Sequence, residues 1–479
     1  MKQEDIAQIV SAVLKRLEQN PEAARVLSAP AQEPQSAGGV FPTVDGAVLA
    51  AEAAQTVFQD LGIEARKKIL DAMRQVSVAN AEKWARMAQQ ETGMGRWKDK
   101  VQKNLICALK TPGVEDLSAK AYTGDKGLTL VEYAPFGVVA AVTPSTNPVA
   151  TVISNAIAIL AAGNSVVFSP HPASKKSVQD AVRALGAAVV SAGGPANLVT
   201  TIENPTQEST KELLCHPRAR MTLVTGGPAI VKVAMTAGKT CKVIAAGPGN
   251  PPVVVDDTAV FPDCAENIIT GCGFDNNVLC IAEKEVICLE SAREKFLAAM
   301  RGDKRGYELN AEQMEKLTKI VIQDPGGPGK EARVNRDFVG RNANVIAKAI
   351  GLDLSDDVLV LWGVVPNDHP LVWTEQLMPL LPVTFVKTLD EAISLSVRAE
   401  GGNHHTAMMY STHVANLTKM GRAMACSIYV KNAPSFYGLG FGEGYASMSI
   451  GTPTGDGITK PTHFVRPLHC VLVGYFRIA

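Results

Sequence analysis

Val138-Val-Ala-Ala-Val142-Thr-Pro144-Ser-Thr-Asn147-Pro148 decides the fold of this 479-residue chain. Five consecutive small or β-branched apolar residues read as a strand buried on both faces. The Pro-bracketed turn after it opens a helix, expected over Ala150 to Ala162 and ended by Gly163. Working outward, Val166-Val-Phe168 reads as a second strand, followed by a helix from Ser174 to about Ala192. Leu198-Val-Thr-Thr-Ile202 and Met221-Thr-Leu-Val224 are further strands with helical stretches behind them. Strands alternating with helices predict the α/β class: a parallel sheet with crossover helices, whose carboxyl strand ends form a ligand crevice.

The flanking segments fit the same class. Helical spacing runs from about Val48 to Thr92. The segment Glu91-Thr-Gly-Met-Gly95 then leads into a helix ending near Thr111-Pro-Gly113. Leu128-Thr-Leu-Val-Glu-Tyr133 and Cys470-Val-Leu-Val473 read as strands. With 47 basic and 47 acidic residues the net charge is zero, so neither nucleic acid nor an anionic membrane is expected as a partner. No run approaches the ~20 apolar residues of a membrane span, and no apolar signal segment opens the chain, which points to an intracellular protein. The nine cysteines are scattered, without a Cys-x-x-Cys pair, and the eight histidines hold no His-Glu-x-x-His, so no metal is expected.

Chemistry concentrates in Gly273-Phe-Asp-Asn-Asn-Val-Leu-Cys280-Ile-Ala-Glu-Lys-Glu. Cys280 follows a polar Asp275-Asn276-Asn277 turn, and a thiolate is a competent nucleophile toward a carbonyl. Asn147 can offer a side-chain amide to the oxyanion that such an addition creates, or can cap the helix behind it. Thr225-Gly226-Gly227 ends a strand and opens a helix, where backbone donors can face a pyrophosphate.

Together with Thr374-Glu375-Gln-Leu-Met-Pro379, these segments resemble the aldehyde dehydrogenase family, most closely its coenzyme-A-acylating branch of bacterial microcompartments. The resemblance runs from about Val40 onward and includes Ala161-Ala-Gly-Asn-Ser165, Gly249-Asn-Pro-Pro252, His404-His-Thr-Ala407 and Thr452-Pro-Thr-Gly-Asp-Gly457. It implies a Rossmann-like cofactor domain over 40–251, with a β-arm for oligomerisation near 114–134. It further implies an α/β catalytic domain over 252–432 and a return to the cofactor domain with a C-terminal strand over 433–479. Cys280 would be the nucleophile, with Asn147 and the Cys280 backbone N–H as oxyanion donors. Thr143, Pro144, Ser145, Ser169, His171, Pro172, Thr225, Gly226, Gly227 and Glu375 would bind a nicotinamide dinucleotide. Ser169 and Pro172 stand where the hydrolytic branch usually has Lys and Glu, which leaves NAD and NADP both open. Glu375-Gln-Leu-Met-Pro379 and Tyr133-Ala-Pro-Phe-Gly137 lean toward propionaldehyde as substrate, with acetaldehyde next.

One departure carries the functional expectation. Where hydrolytic members carry a general-base glutamate in Glu-Leu-Gly-Gly, this chain reads Ala245-Ala-Gly-Pro-Gly-Asn-Pro-Pro252. Without a base to activate water, the acyl group should pass to the thiol of coenzyme A. The alternative is a hydrolytic dehydrogenase drawing a base from elsewhere, for which Glu283 and Glu285 are close in sequence. Before the catalytic region, Ile6, Ile9, Val10, Val13, Leu14 and Leu17 form one apolar stripe on a helix over 1–18, tethered by a linker over 19–39. Such a helix can dock on its own domain or in a partner's groove, and this segment resembles encapsulation peptides. It implies microcompartment shell or core proteins as partners, a cytoplasmic location within a microcompartment, and, with the arm, a homodimer or homotetramer.

Overall fold

A computed structural model describes residues 38–236, 241–325, 330 and 332–476. The segment 1–18 and the linker up to residue 37 lie outside the described residues.

The first half of the chain starts with β1 (Val40–Phe41) and the helices α1 (Val44–Gln59), α2 (Ile63–Ala79), α3 (Ala81–Thr92) and α4 (Trp97–Lys110). Gly93 closes α3 in the left-handed conformation, φ 67°, as helix C-termini prefer. Next come β2 (Lys120–Gly124), β3 (Gly127–Pro135) and β4 (Val138–Thr143), then α5 (Pro148–Ala161), β5 (Ser165–Pro170) and α6 (Lys175–Ser191). The unit closes with β6 (Val199–Ile202), α7 (Gln207–Cys215), β7 (Ala219–Thr225), α8 (Pro228–Thr236) and β8 (Lys242–Ala246). Six of these strands pair parallel in the order β1-β6-β5-β4-β7-β8. The sequence therefore steps from β4 to β5 and β6 on one side and to β7 and β8 on the other. The reversal falls between β4 and β7, the place where open parallel sheets bind ligands beyond their carboxyl ends.

Helix α5 shows how the sequence positions that edge. Pro148 occupies its first turn, where the missing N–H costs nothing. Every residue of α5 is buried, because one side faces the sheet while α2, α4 and α6 cover the others. The apolar-all-round composition expected of an interior helix is what the chain supplies.

The second half is built on β9 (Pro252–Val255), α9 (Asp263–Gly273), β10 (Glu285–Leu289), β11 (Gly306–Glu308), the short antiparallel pair β12 (Ile322–Asp324) and β13 (Arg333–Val334), and β14 (Val360–Val364), β15 (Leu380–Val386), β16 (Thr406–Tyr410) and β17 (Ile428–Lys431). Seven of them form a parallel sheet in the order β11-β14-β15-β10-β9-β16-β17. The C-terminal strand Val465–Val473 pairs antiparallel with β3, which also pairs with β2. All but the first residue of that strand are exposed, among them Leu468, Val471, Leu472 and Val473. Among the described residues no helix is long and apolar enough to cross a membrane.

Candidate active site

Strand register sets the rim of the cleft. Val142 of β4 pairs with Ser169 of β5 on one side and Val224 of β7 on the other, and Thr225 pairs with Ala246 of β8. The carboxyl ends of these strands thus sit side by side at the reversal point. A cleft of about 780 Å³ opens there. The twelve residues singled out by sequence all line it: Thr143, Pro144, Ser145, Asn147, Ser169, His171, Pro172, Thr225, Gly226, Gly227, Cys280 and Glu375.

Cys280 is delivered by a turn between α9 and β10 with unusual backbone geometry. Asp275, Asn276 and Asn277 all have positive φ, 48°, 54° and 64°. Asp and Asn tolerate this left-handed region better than other non-glycine residues, but a run of three persists only where the surroundings dictate it. They do. Asp275 Oδ1 accepts from the Arg96 N–H at 2.7 Å, its Oδ2 accepts from Lys100 Nζ at 3.0 Å and from Lys103 Nζ, and its own N–H donates to Asp99 Oδ2 at 2.9 Å. Asn276 Nδ2 donates to Gly340 O at 2.8 Å and Asn342 Oδ1 at 2.7 Å. Asn277 Nδ2 donates to Cys272 O at 3.1 Å and Glu283 O at 2.9 Å. Lys284 Nζ closes the far end, donating to Asn277 Oδ1 at 2.5 Å, Asn277 O at 3.1 Å and Leu279 O at 3.0 Å. Gly95 is required beside this turn, since a Cβ on it would lie 2.0 Å from Asp275 Oδ1.

Cys280 keeps partial exposure to the cleft, yet the protein packed around its floor position desolvates it. That burial, with the negative charge of Glu375, pushes the thiol up to about 12; Lys284, the residue's own backbone N–H and Lys103 pull the other way. Burial likewise raises the Glu375 carboxyl to about 7, opposed by Lys284 and by the Gly249 N–H it accepts from.

Asn147 occupies the cap position of α5, but its side chain makes no cap hydrogen bond. Its Nδ2 donates to Val278 O at 3.3 Å and Thr146 Oγ1 at 3.2 Å, while Oδ1 accepts from Lys103 Nζ. The amide is thus turned away from α5 and toward the Cys280 segment.

The hydroxyls of Thr143, Thr225 and Ser169 differ in what they have left to offer a ligand. Thr143 Oγ1 is buried and has no partner among the described residues. Thr225 Oγ1 is bound to Ser449 Oγ at 2.7 Å, and the following Gly226 and Gly227 lead into the N-terminus of α8. Ser169 Oγ is tied to Thr210 Oγ1 at 2.8 Å, so its hydroxyl is committed within the protein. This pattern, with an open helix N-terminus and a free hydroxyl on one wall, fits a dinucleotide pyrophosphate.

The segment replacing a base is placed clearly. Ala246, Gly247 and Pro248 line the cleft. Ala245 is wholly buried, packed in a core with Val138, Val142 and Val224. Neither Glu283 nor Glu285 lines the cleft. Glu283 is buried against Ser435, accepting from its N–H and Oγ–H at 2.8 Å each, and burial raises its carboxyl to about 7. Glu285 is fully buried, which pushes its carboxyl well above the usual range.

Sequence reasoning missed His405. It lines the cleft with Cys280, is fully buried, and has an Nε2 without a partner among the described residues. Its Nδ1 pairs with Thr406 Oγ1 at 2.9 Å and its N–H donates to Glu400 Oε1 at 2.8 Å. Burial, reinforced by Lys284, lowers its pKa to about 3, so the ring is neutral at physiological pH. Gly249 runs between the two residues: a Cβ there would lie 2.8 Å from both Cys280 O and His405 Cγ. The available signal was Gly249 itself, a glycine beside the absent base. Lys103 and Lys100 were also missed.

Comparison with known proteins agrees with this geometry. Residues 36–353 match the aldehyde dehydrogenase family model. Acetaldehyde dehydrogenase (acetylating) EutE of Salmonella typhimurium is 46% identical over 479 residues, covering 100% of both chains. A propionaldehyde dehydrogenase from the Clostridium phytofermentans fucose utilisation bacterial microcompartment superposes with a TM-score of 0.88 at 40% identity, over 92% of this chain and 100% of that one. Rhodopseudomonas palustris propionaldehyde dehydrogenase, solved with bound CoA and an acylated cysteine, gives 0.88 at 42% identity over 92% and 99%. A cysteine on a locked turn, an amide facing it and a parallel-sheet cleft accordingly have one family in common, and this chain belongs to the aldehyde dehydrogenase family.

Proposed function

We propose that the protein oxidises a short-chain aldehyde to its coenzyme A thioester, with NAD⁺ or NADP⁺ as oxidant. The observation that carries this reading is the wall beside Cys280. There Ala246, Gly247 and Pro248 stand in place of a base, and the neutral His405 lines the same cleft.

In this reading Cys280 Sγ adds to the aldehyde carbon, and the oxyanion formed is met by Asn147 Nδ2 and the Cys280 backbone N–H. When bound, the dinucleotide supplies the hydride acceptor, held by Thr225, Gly226 and Gly227 at the pyrophosphate and by Glu375 at the nicotinamide ribose. Oxidation leaves a thioester on Cys280. Passing that acyl group to coenzyme A is close to isoenergetic, since one thioester replaces another. The thiol of coenzyme A, with an ordinary pKa of about 8.5, is already partly ionised at neutral pH, and it does not need His405, which burial holds at about 3 and leaves a weak base. Water would need a stronger base positioned for it. The carboxylate near Cys280 is Glu375, which is occupied by the Gly249 N–H.

The substrate is a small aldehyde. The 46% identical relative is named an acetaldehyde dehydrogenase, and solved neighbours at 40–42% are propionaldehyde dehydrogenases. The amphipathic segment over 1–18 supports residence in a microcompartment. The test is NADH formation from acetaldehyde or propionaldehyde with and without coenzyme A. We expect steady turnover only with coenzyme A, and at most one equivalent of NADH per site without it. Equal steady turnover in its absence would make water the acceptor and refute the reading.

A further inference from the structure

Helix α4 looks on sequence like a surface element, yet it sends two lysines into the interior. Lys100 and Lys103 lie one turn apart, with side chains 4% and 1% exposed. Both bind Asp275 Oδ2 at the start of the nucleophile turn. Each also holds the turn after β4: Lys100 Nζ donates to Thr146 O at 3.0 Å, and Lys103 Nζ to Asn147 Oδ1. One carboxylate therefore bridges two ammonium groups that clamp the segment carrying the oxyanion donor.

Consider the Asn147 amide alone. Flipping it would set its NH₂ against the Lys103 ammonium and its oxygen against Val278 O, two repulsive contacts in place of two attractive ones. An ammonium on the carbonyl oxygen also draws electron density from the amide, making its N–H a stronger donor. Both present bonds from Nδ2 are long, 3.2 and 3.3 Å, so a developing oxyanion displaces little.

We infer that Lys103 is a positioning residue for the aldehyde reaction, holding the Asn147 amide in the one orientation that donates to the oxyanion and strengthening that donor. The inference rests on the reading of Asn147 as oxyanion donor given above. A purely architectural Lys103 would affect folding stability and leave the chemical step alone.

Lys103 also has a pH signature. Burial brings its pKa down to about 8, with Asp275 holding it up and Lys100 pushing it further down. The groups facing it are Asp99, Lys100 and Cys107 from its own helix, Asn147 from the turn after β4, and Asp275 and, farther off, Cys280 from the nucleophile turn. The clamp is charged below about pH 8 and is lost above it. The first-turnover rate should therefore bend downward on the alkaline side near pH 8, whereas ionisation of Cys280 alone would carry it upward.

The experiment is the single-turnover NADH burst with aldehyde and NAD⁺, without coenzyme A, on the full chain and on Lys103→Gln, Asn147→Ala and the double variant. Losing an oxyanion donor costs about 10²–10³-fold, and a residue acting through that donor should cost about 10–100-fold. We expect Lys103→Gln to lose burst rate with the aldehyde KM little changed and to lose the alkaline bend. We expect the double variant to be no slower than Asn147→Ala, because Lys103 has nothing left to position. Additive losses in the double variant, or an unchanged burst in Lys103→Gln, overturn the inference about Lys103. A wild-type burst rate in Asn147→Ala overturns the underlying reading of Asn147. Should Lys103→Gln fail to fold, comparing pH profiles of wild type and Asn147→Ala still decides: the bend must be present in the first and absent in the second.

Discussion

Alkylation of Cys280 gives a direct measure of how the site holds its nucleophile. The thiol is pushed to about 12 against an ordinary value of 9.0, first by burial and then by Glu375. At pH 8 about one Cys280 in 10⁴ is ionised, against roughly one in ten for an ordinary thiol, a difference of about 10³ in reactive species. A more basic thiolate is a better nucleophile, and a Brønsted slope of about 0.45 returns about 20-fold over that span. Iodoacetamide should therefore modify Cys280 about 50-fold more slowly than N-acetylcysteine amide at pH 8. The rate should climb tenfold per pH unit from pH 7 to 9.5 without levelling. Glu375→Gln removes a negative charge that raises the thiol, and should speed modification about threefold for each pKa unit it releases. Quenched time points followed by peptide mass spectrometry isolate Cys280 from the exposed Cys215 and Cys470. A rate that levels off below pH 9, or a Cys280 faster than the reference at pH 8, would refute the reasoning.

Glu375 is raised to about 7 by burial, and in the proposed ribose role it would accept from both hydroxyls only when ionised. In wild type, kcat/KM for the dinucleotide should rise about tenfold per pH unit between pH 5.5 and 7 and then flatten. In Glu375→Gln it should be lower and flat, and an unaltered profile would remove Glu375 from the ribose subsite. Deleting residues 1–18 should leave turnover of the purified enzyme unchanged and abolish co-sedimentation with microcompartment shells. Retained co-sedimentation would move the targeting signal elsewhere.

The fold was legible where a pattern is local. The strand Val138–Thr143 and the helix behind Pro148 follow from five apolar residues and a proline, and both form as expected. The same holds for β3, expected over Leu128–Tyr133 and observed over Gly127–Pro135. The cleft-lining residues were legible through motifs that end strands. What the sequence hid are partnerships across distance. Lys100 and Lys103 look like solvated charges on an amphipathic helix, because lysines are almost never buried unless paired. Their partner Asp275 is more than 170 residues away, and no local rule joins them. His405 was hidden for another reason: what marks it is an Nε2 unpartnered among the described residues, and hydrogen-bond vacancy is a property of three-dimensional packing. The absent base was readable from Ala245, yet only the structure reveals that this side chain packs into the core while Ala246 faces the cleft.

Burying an ion costs several kcal/mol, and an apolar substitute of the same volume is often as stable or more so. The chain nevertheless places buried lysines at both ends of the nucleophile turn: Lys100 and Lys103 on Asp275, and Lys284 on Asn277 and Leu279 O. No apolar residue could replace them, because three successive left-handed residues expose carbonyls and carboxylates that need donors. The lysines supply those donors where water is excluded. Two of these cations, Lys284 and Lys103, are among the groups that hold the Cys280 thiol down against burial and Glu375. Their net effect is unequal, since the turn receives its donors while the thiol stays near 12. Geometry at this site is thus fixed before any substrate arrives, whereas ionisation of the nucleophile is not. The burst rate should therefore report two things, the charge of Cys280 in the filled cleft and the hold of Lys103 on Asn147, and not where the sulfur sits.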